Sequence, residues 1–313
     1  MKTFHFNAII NAMRTGNSCA ISEVSQTTGL SIPTVSKAID FGIKAGVIVP
    51  SVVAPSTGGR KAQLYYLNAA YLYTLYFALD NEALHYTLKD FAQHICEAGQ
   101  KTIELKEFCK EIDTVFKSIR AKYTNVKIIC VAVPAITDDG KIVDWYYNPS
   151  LNGFDLKEYL MSKHKVDAVI ENDMKLTASA AVVYAVNKEN ATLATLQFGH
   201  NGIGLGQIVN GIILRGANGF AGEISFLRDE PCEPVTPVYC AKVVRSVIVM
   251  LNPELIVFYT SDTQSKIDQI MSEAVKHMPA YAVPRVLVSD RYLKDIFTGL
   301  EIISQDFRKI QRR

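Results

Sequence analysis

From Tyr71 onward the chain repeats one pattern, short runs that are apolar from end to end followed by longer stretches with helical spacing. The runs "LYTLYFAL", "VKIICVAVP", "VDAVIEND", "ATLATLQFG" and "ELIVFYT" are too short for membrane spans and read as strands buried on both faces. Between them, "LKEFCKEIDTVFKSIRAKY" and "MKLTASAAVVYAVNK" read as helices. Strands alternating with helices specify an α/β body. The 313 residues leave room for two or three domains, with 49% hydrophobic and 20% charged residues, ordinary for a soluble protein. No apolar run approaches the ~20 residues of a membrane helix. The start "MKTFHFNAII" has no cleavable signal pattern, so a cytoplasmic protein is expected. Cys19, Cys96, Cys109, Cys130, Cys232 and Cys240 never approach CxxC spacing and read as reduced core thiols.

The charge is divided unevenly. Residues 1–67 hold Lys2, Arg14, Lys37, Lys44, Arg60 and Lys61 against Glu23 and Asp40, a net +4, while the whole chain carries +2. The remainder is therefore slightly acidic, and a basic head suits a nucleic-acid partner, whose phosphates supply most non-specific affinity. Within the head, Ile21, Val24, Leu30, Val35, Ile39 and Ile43 predict a short helix from about Ser22, a turn at Gly29 and a second helix over Ile32–Ala45. Ser31 is placed to cap that second helix, and Pro33 is tolerated in its first turn. This is a helix-turn-helix pattern, with Ser31, Thr34, Ser36 and Lys37 as candidate contacts to bases and phosphates in a major groove. Two strand-like runs, "VIVPSVVA" and "AQLYYL", flank "PSTGGRK", which sets Arg60 and Lys61 at the tip of a wing. The bland alternative is a structural helical hairpin with an incidental basic turn.

A glycine-rich stretch, "QFGHNGIGLGQIVNGIILRGANGFAGEISFL", raises a separate question. Gly199, Gly202, Gly204 and Gly206 would let backbone N–H groups close on an anion, or simply form a tight turn with no ligand. Together with "IENDMKLTASAA" and the winged head, the stretch resembles the ROK family of repressors and sugar kinases. The resemblance implies an actin-like ATPase body of two α/β lobes around a cleft. It implies domains at 1–68 for the DNA-binding head, 69–174 for the first lobe with a return of the C-terminal helix at about 292–313, and 175–291 for the second lobe. It also implies that Asn172 and Asp173 contact a sugar, Asp173 standing at the position of the general base, and that Glu223 binds sugar as well. From the residues alone, Asp173 is equally a helix cap and Glu223 a solvated turn residue.

The departures from the family decide the expected activity. Its kinases need a phosphate loop, D-x-G-G-T, in the opening hairpin of the body. Aligning that hairpin on Asp90 puts Ala78 at the metal-binding Asp, Asp80 and Asn81 at the glycines, and Glu82 at the Thr. Two carboxylates then stand where a polyanion has to sit. The strand "LIVFYTSDT" also lacks the family's glycines near the adenosine. At the sugar, N-L-P-G-W is replaced by "SLNGF", so Ser150 takes the place of the sugar-binding Asn, with Asn148 or Asn152 as substitutes. The His of G-E-I-G-H is Phe226, and only Cys232 and Cys240 follow it, so no zinc, no other metal and no cofactor is expected. The expectation is a repressor with a catalytically dead body, binding double-stranded operator DNA as a homodimer or higher oligomer, and either sensing a sugar or sugar derivative or serving only for dimerisation. The competing expectation is a sugar kinase that carries a DNA-binding head.

Overall fold

The computed structural model describes residues 3–14, 18–51, 63–199, 202–227, 236–260 and 264–306. The head opens with a helix the sequence pattern did not disclose, α1 (Thr3–Met13), followed by β1 (Cys19–Ala20), α2 (Ile21–Thr28), α3 (Ile32–Lys44), β2 (Ile48–Pro50) and β3 (Leu64–Leu67). Gly29 ends α2 at φ +68°, a left-handed cap that turns the chain into α3. Ser31 stands at the N-cap position of α3 but caps no N–H there; its hydroxyl meets Thr34 Oγ1 at 2.9 Å. The three strands form one antiparallel sheet in the order β1-β3-β2. The wing tip with Arg60 and Lys61 lies outside the described residues.

The body consists of two sheets with the same strand order. The first contains β4 (Tyr73–Asp80), β5 (Ala83–Lys89), β6 (Ile95–Thr102), β7 (Val126–Val133) and, after the small hairpin β8 (Ile136–Asp138) and β9 (Lys141–Asp144), β10 (Asp167–Asn172). The second contains β11 (Leu193–Gly199), β12 (Gly202–Val209), β13 (Ile212–Ile213), β14 (Leu255–Tyr259) and β15 (Arg285–Ser289). The orders β10-β7-β4-β5-β6 and β15-β14-β11-β12-β13 are equivalent: three parallel strands followed by an antiparallel pair. This duplication has no counterpart in a short-period sequence repeat.

Helices α4 (Phe108–Lys122) and α5 (Leu156–His164) cover one face of the first sheet, where Phe108, Ile112, Phe116, Leu156 and Leu160 pack on Phe77, Ile129 and Val131. Asp113 joins the two helices, accepting from Tyr159 Oη and Lys163 Nζ at 2.6 Å each and lying 2.7 Å from His164 Nε2. Helices α7 (Pro237–Leu251) and α8 (Gln264–Ala274) cover the second sheet through Val244, Val247, Ile267 and Ile270. Helix α6 (Asp173–Ala181) leaves the first sheet for the second, and α9 (Tyr292–Ile303) returns from the second sheet to pack on β4 and β7 of the first. The helix expected over "MKLTASAAVVYAVNK" stops at Ala181, where Val182–Tyr184 tighten into a 3-10 turn; the two consecutive β-branched valines favour ending the helix there.

Head and body share one core. Phe6, Ile9, Met13, Val24, Val35 and Ile39 of the head are continuous with Leu72, Tyr76, Ala78 and Phe91 of the body, and through them with Leu176, Ile296 and Leu300. The chain crosses at Ala69–Tyr71 as a single 3-10 turn, and Phe91 N–H donates to the Ala69 carbonyl at 3.1 Å. Arg14 lies over the Phe91 ring, 5.5 Å from its centroid, so one of the six cations of the head serves this seam. Cys19, Cys96, Cys109 and Cys130 are free thiols, and among the described residues no helix is long and apolar enough to cross a membrane.

Candidate functional site

The parallel strand β10 ends on Asn172 and delivers Asp173 to the first turn of α6, at the point where the chain changes lobes. The cap of α6 is Asn172, whose Oδ1 accepts from Lys175 N–H at 3.0 Å while Nδ2 donates to the Ala135 carbonyl at 3.1 Å. Asp173 is thereby released from the capping task that its sequence position suggested. One of its oxygens accepts from Met174 N–H at 2.7 Å and the other from the Tyr292 hydroxyl at 2.8 Å. Burial pushes the Asp173 carboxyl up to about 6, with Asp80 adding and its two hydrogen bonds opposing.

The glycine-rich stretch forms the adjoining wall, and its glycines answer to packing. A Cβ on Gly206 would stand 1.9 Å from the Met174 carbonyl oxygen, so β12 reaches α6 this closely only without a side chain there. Gly199 and Gly202 are paired across the hairpin, whose turn residues lie outside the described ones. The following segment is fastened to the end of β10 and the start of α6 by two cations outside the expected site residues. Arg215 donates to the Glu171 carboxylate through Nε at 2.9 Å and Nη2 at 2.5 Å, and the buried Lys175 donates to the Gly219 carbonyl. Burial pulls Lys175 down, against the pull of Glu171 and Glu223.

These fastenings set Glu223 beside Asp173, Asp144 and Lys175. It is half-buried rather than a solvated turn residue, and burial pushes its carboxyl up to about 7, Asp173 and Asp144 adding and Lys175 opposing. Asn152 joins the same group, donating to Asp144 Oδ1 at 2.6 Å while accepting from Trp145 N–H at 2.7 Å. The hydroxyl of Ser150 is turned instead to Asn148 Oδ1 at 2.6 Å, and Asn148 is anchored to the Leu105 carbonyl. Phe226 is 62% exposed and lies against Phe220, ring centroids 5.1 Å apart, so the turn around Glu223 presents an aromatic pair to solvent. Carboxyls held near neutrality both donate and accept hydrogen bonds, which suits hydroxyl groups of a neutral ligand.

On the opposite side, β4 and β5 meet in a hairpin with Asp80 paired to Ala83 across Asn81 and Glu82. Ala78 is fully buried in the sheet, and Asp80 acts on Asp173 as a like charge. Among the described residues no group of three or more His, Cys, Asp and Glu is placed to hold a metal ion, and Cys232 lies outside them. On the head, Ser31 and Lys37 of the expected DNA contacts are exposed, while Thr34 and Ser36 are half-buried. Ile32, 56% exposed, stands on the same first turn of α3.

Of the residues the sequence did not suggest, Glu171, Lys175 and Asp144 adjoin motif residues, and a lysine inside an apolar helix was a usable signal. Arg215 and Tyr292 had none. Tyr292 lies 119 positions from Asp173.

Two like sheets, helices exchanged between them and a strand-end Asn-Asp pair where the chain passes from one to the other define the actin-like, two-lobed class of fold. Residues 86–242, half of the chain, match the model of the ROK family, and the chain belongs to that family. Its fold is similar over 97% of its length to a solved ROK family transcriptional regulator described as a homolog of E. coli MLC protein, with TM-score 0.68, 15% identity and 98% of that chain covered. The ROK hexokinase from Thermus thermophilus is similar over 75% of this chain and 100% of its own, with TM-score 0.60 and 13% identity. In sequence, the xylose repressor of Bacillus subtilis (strain 168) is 25% identical over 215 residues, 66% of this chain and 55% of the relative. The DNA-binding transcriptional dual regulator NagC of Escherichia coli (strain K12) is 27% identical over 225 residues, 67% of this chain and 53% of its own. The chain spans about half the length of the curated relatives it matches.

Proposed function

We propose that this chain is a DNA-binding transcriptional regulator, a repressor, whose kinase-like body (69–313) senses a sugar or sugar derivative and transfers no phosphoryl group. In this reading residues 1–68 bind operator DNA through Ser31, Thr34, Ser36, Lys37, Arg60 and Lys61, and Asn172, Asp173, Glu223 and Asn152 receive the ligand, with Ser150 at the rim. The observation that carries it is the contrast across the cleft. The phosphate side has the apolar, fully buried Ala78 and the carboxylates Asp80 and Glu82, whereas the ligand side keeps Asp173 and Glu223 in a shared, half-dry setting. The names of the relatives, xylose repressor and DNA-binding transcriptional dual regulator, point the same way. The exposed Phe220–Phe226 pair favours a ligand with an apolar or acylated substituent over plain glucose. Action as a dimer follows from the usual two-fold symmetry of operators.

The test is selection of bound DNA from a random pool by the full chain, followed by challenge with D-xylose, N-acetyl-D-glucosamine, glucose and their phosphates. Enrichment of two-fold sites is expected, released by one of the sugars. Replacing Arg60 and Lys61 with Ala should flatten the log–log salt dependence by about one unit per lost phosphate contact. No enrichment sinks the DNA-binding reading, and ATP-dependent sugar phosphorylation that disappears in Asp173→Asn establishes the kinase instead.

A further inference from the structure

Asp173 is the one candidate ligand group whose carboxylate is already held by a side chain from a distant element. Its partner, Tyr292, is the first residue of α9, and the Tyr292 ring also lies against Tyr259 of β14, centroids 5.7 Å apart. Tyr259 in turn donates to Asp295 at 2.7 Å, so the first turn of α9 is held by both α6 and the second sheet. Along α9, Ile296 and Leu300 are buried in the core that continues into the head. Gly299 lets α6 approach, since a Cβ there would stand 2.3 Å from the Leu176 carbonyl oxygen. At the far end of α9, about 14 Å along its axis at 1.5 Å per residue, Glu301 is bonded to Lys89 Nζ at 2.5 Å. Lys89 closes β5, two residues before Phe91, whose ring receives Arg14 of the head at 5.5 Å and Tyr71 at 5.2 Å.

We propose that Tyr292 is a residue of the ligand site and that α9 carries the state of Asp173 to the head. The contact order is Asp173, Tyr292, α9, Glu301, Lys89, Phe91 and Arg14. It rests on the regulator reading only for what the two ends are called. A ligand hydroxyl that takes Asp173 competes with the hydroxyl of Tyr292, and a ligand that prefers the released state shifts α9 toward it. The edge-to-face contact with Tyr259 holds the ring in place while its hydroxyl changes partner. The other face of the first sheet, covered by α4 and α5, is outside this chain of contacts.

Amide hydrogen exchange on the full chain, with neither DNA nor sugar present, tests the coupling directly. Tyr292→Phe removes the hydroxyl and keeps the ring; Glu301→Gln removes the charge of the far ion pair with Lys89 without touching Asp173. Expected in Tyr292→Phe is faster exchange at residues 292–296 and also at residues 10–14 and 91, by about 2- to 30-fold, the range over which side-chain networks transmit coupling. Glu301→Gln should raise exchange at residues 10–14 and 91 in the same range. Acceleration confined to 292–296 overturns the proposal. So does an equal rise in α4 and α5, which marks a general loss of stability, or a Glu301→Gln variant with an unchanged head. Because no DNA or sugar enters the measurement, failure to find an operator or an effector leaves this result separate.

Discussion

The hairpins β4–β5 and β11–β12 occupy equivalent places in the two sheets and flank the start of α6, yet one has no glycine and the other alternates them. Their difference separates a glycine that packing requires from a turn that packing leaves open. In β11–β12, Gly206 lies so close to the Met174 carbonyl that the fold itself requires it. In β4–β5 the turn residues Asn81 and Glu82 are exposed, and Asn81 adopts φ +53° with its amide bonded to Asp80 at 3.1 Å. A glycine held by packing cannot gain a side chain unless its neighbours move, whereas an exposed turn residue is free of that constraint. The glycine-rich motif that suggests an enzyme is, at Gly206, a requirement of packing.

Substitution at the two hairpins should therefore differ sharply. Gly206→Ala sets a methyl 1.9 Å from the Met174 oxygen and 2.6 Å from Thr195 Oγ1, with little room to relax. A loss of about 3 kcal/mol or more in urea unfolding is expected; a loss below about 1 kcal/mol would show that packing does not hold this glycine.

A smaller effect should come from the carboxyls between the hairpins. Asp173 and Glu223 rise to about 6 and about 7 on folding, from 3.8 and 4.5. The folded chain thus binds more protons across this window, so stability falls as pH rises from about 4 to about 7. The part due to this pair is on the order of 1–3 kcal/mol after allowing for the half-exposed Glu223. Asp173→Asn with Glu223→Gln should flatten that slope in thermal unfolding at a series of pH values, and an unaltered slope would place its origin elsewhere.

The smallest effect is expected at the other turn. Asn81→Gly restores a glycine to β4–β5 and should leave stability within about 0.5 kcal/mol, because Asn already tolerates the left-handed region. It should also confer no thermal stabilisation by ATP, since Ala78, Asp80 and Glu82 remain. Stabilisation by ATP in this variant would mean that the residue at position 81 alone had been limiting.

What local pattern encodes was legible in the sequence. Val35, Ile39 and Ile43 announce α3 by their spacing, Gly29 announces the turn, and runs such as that of β7 announce buried strands because both faces must be apolar. The Asn-Asp pair and Glu223 stand out as candidates by the company they keep in the motif. The order of the strands and the fusion of the head core with the body were settled by tertiary packing alone, while the return of α9 to the first lobe was expected only through the family resemblance. So were the partners of the site: Arg215 meets Glu171 across 44 positions, and Tyr292 meets Asp173 across 119. Periodicity acts through neighbours within a turn or a pleat. Which buried carboxyl a distant hydroxyl reaches depends on how the elements close on one another, and no local spacing carries that.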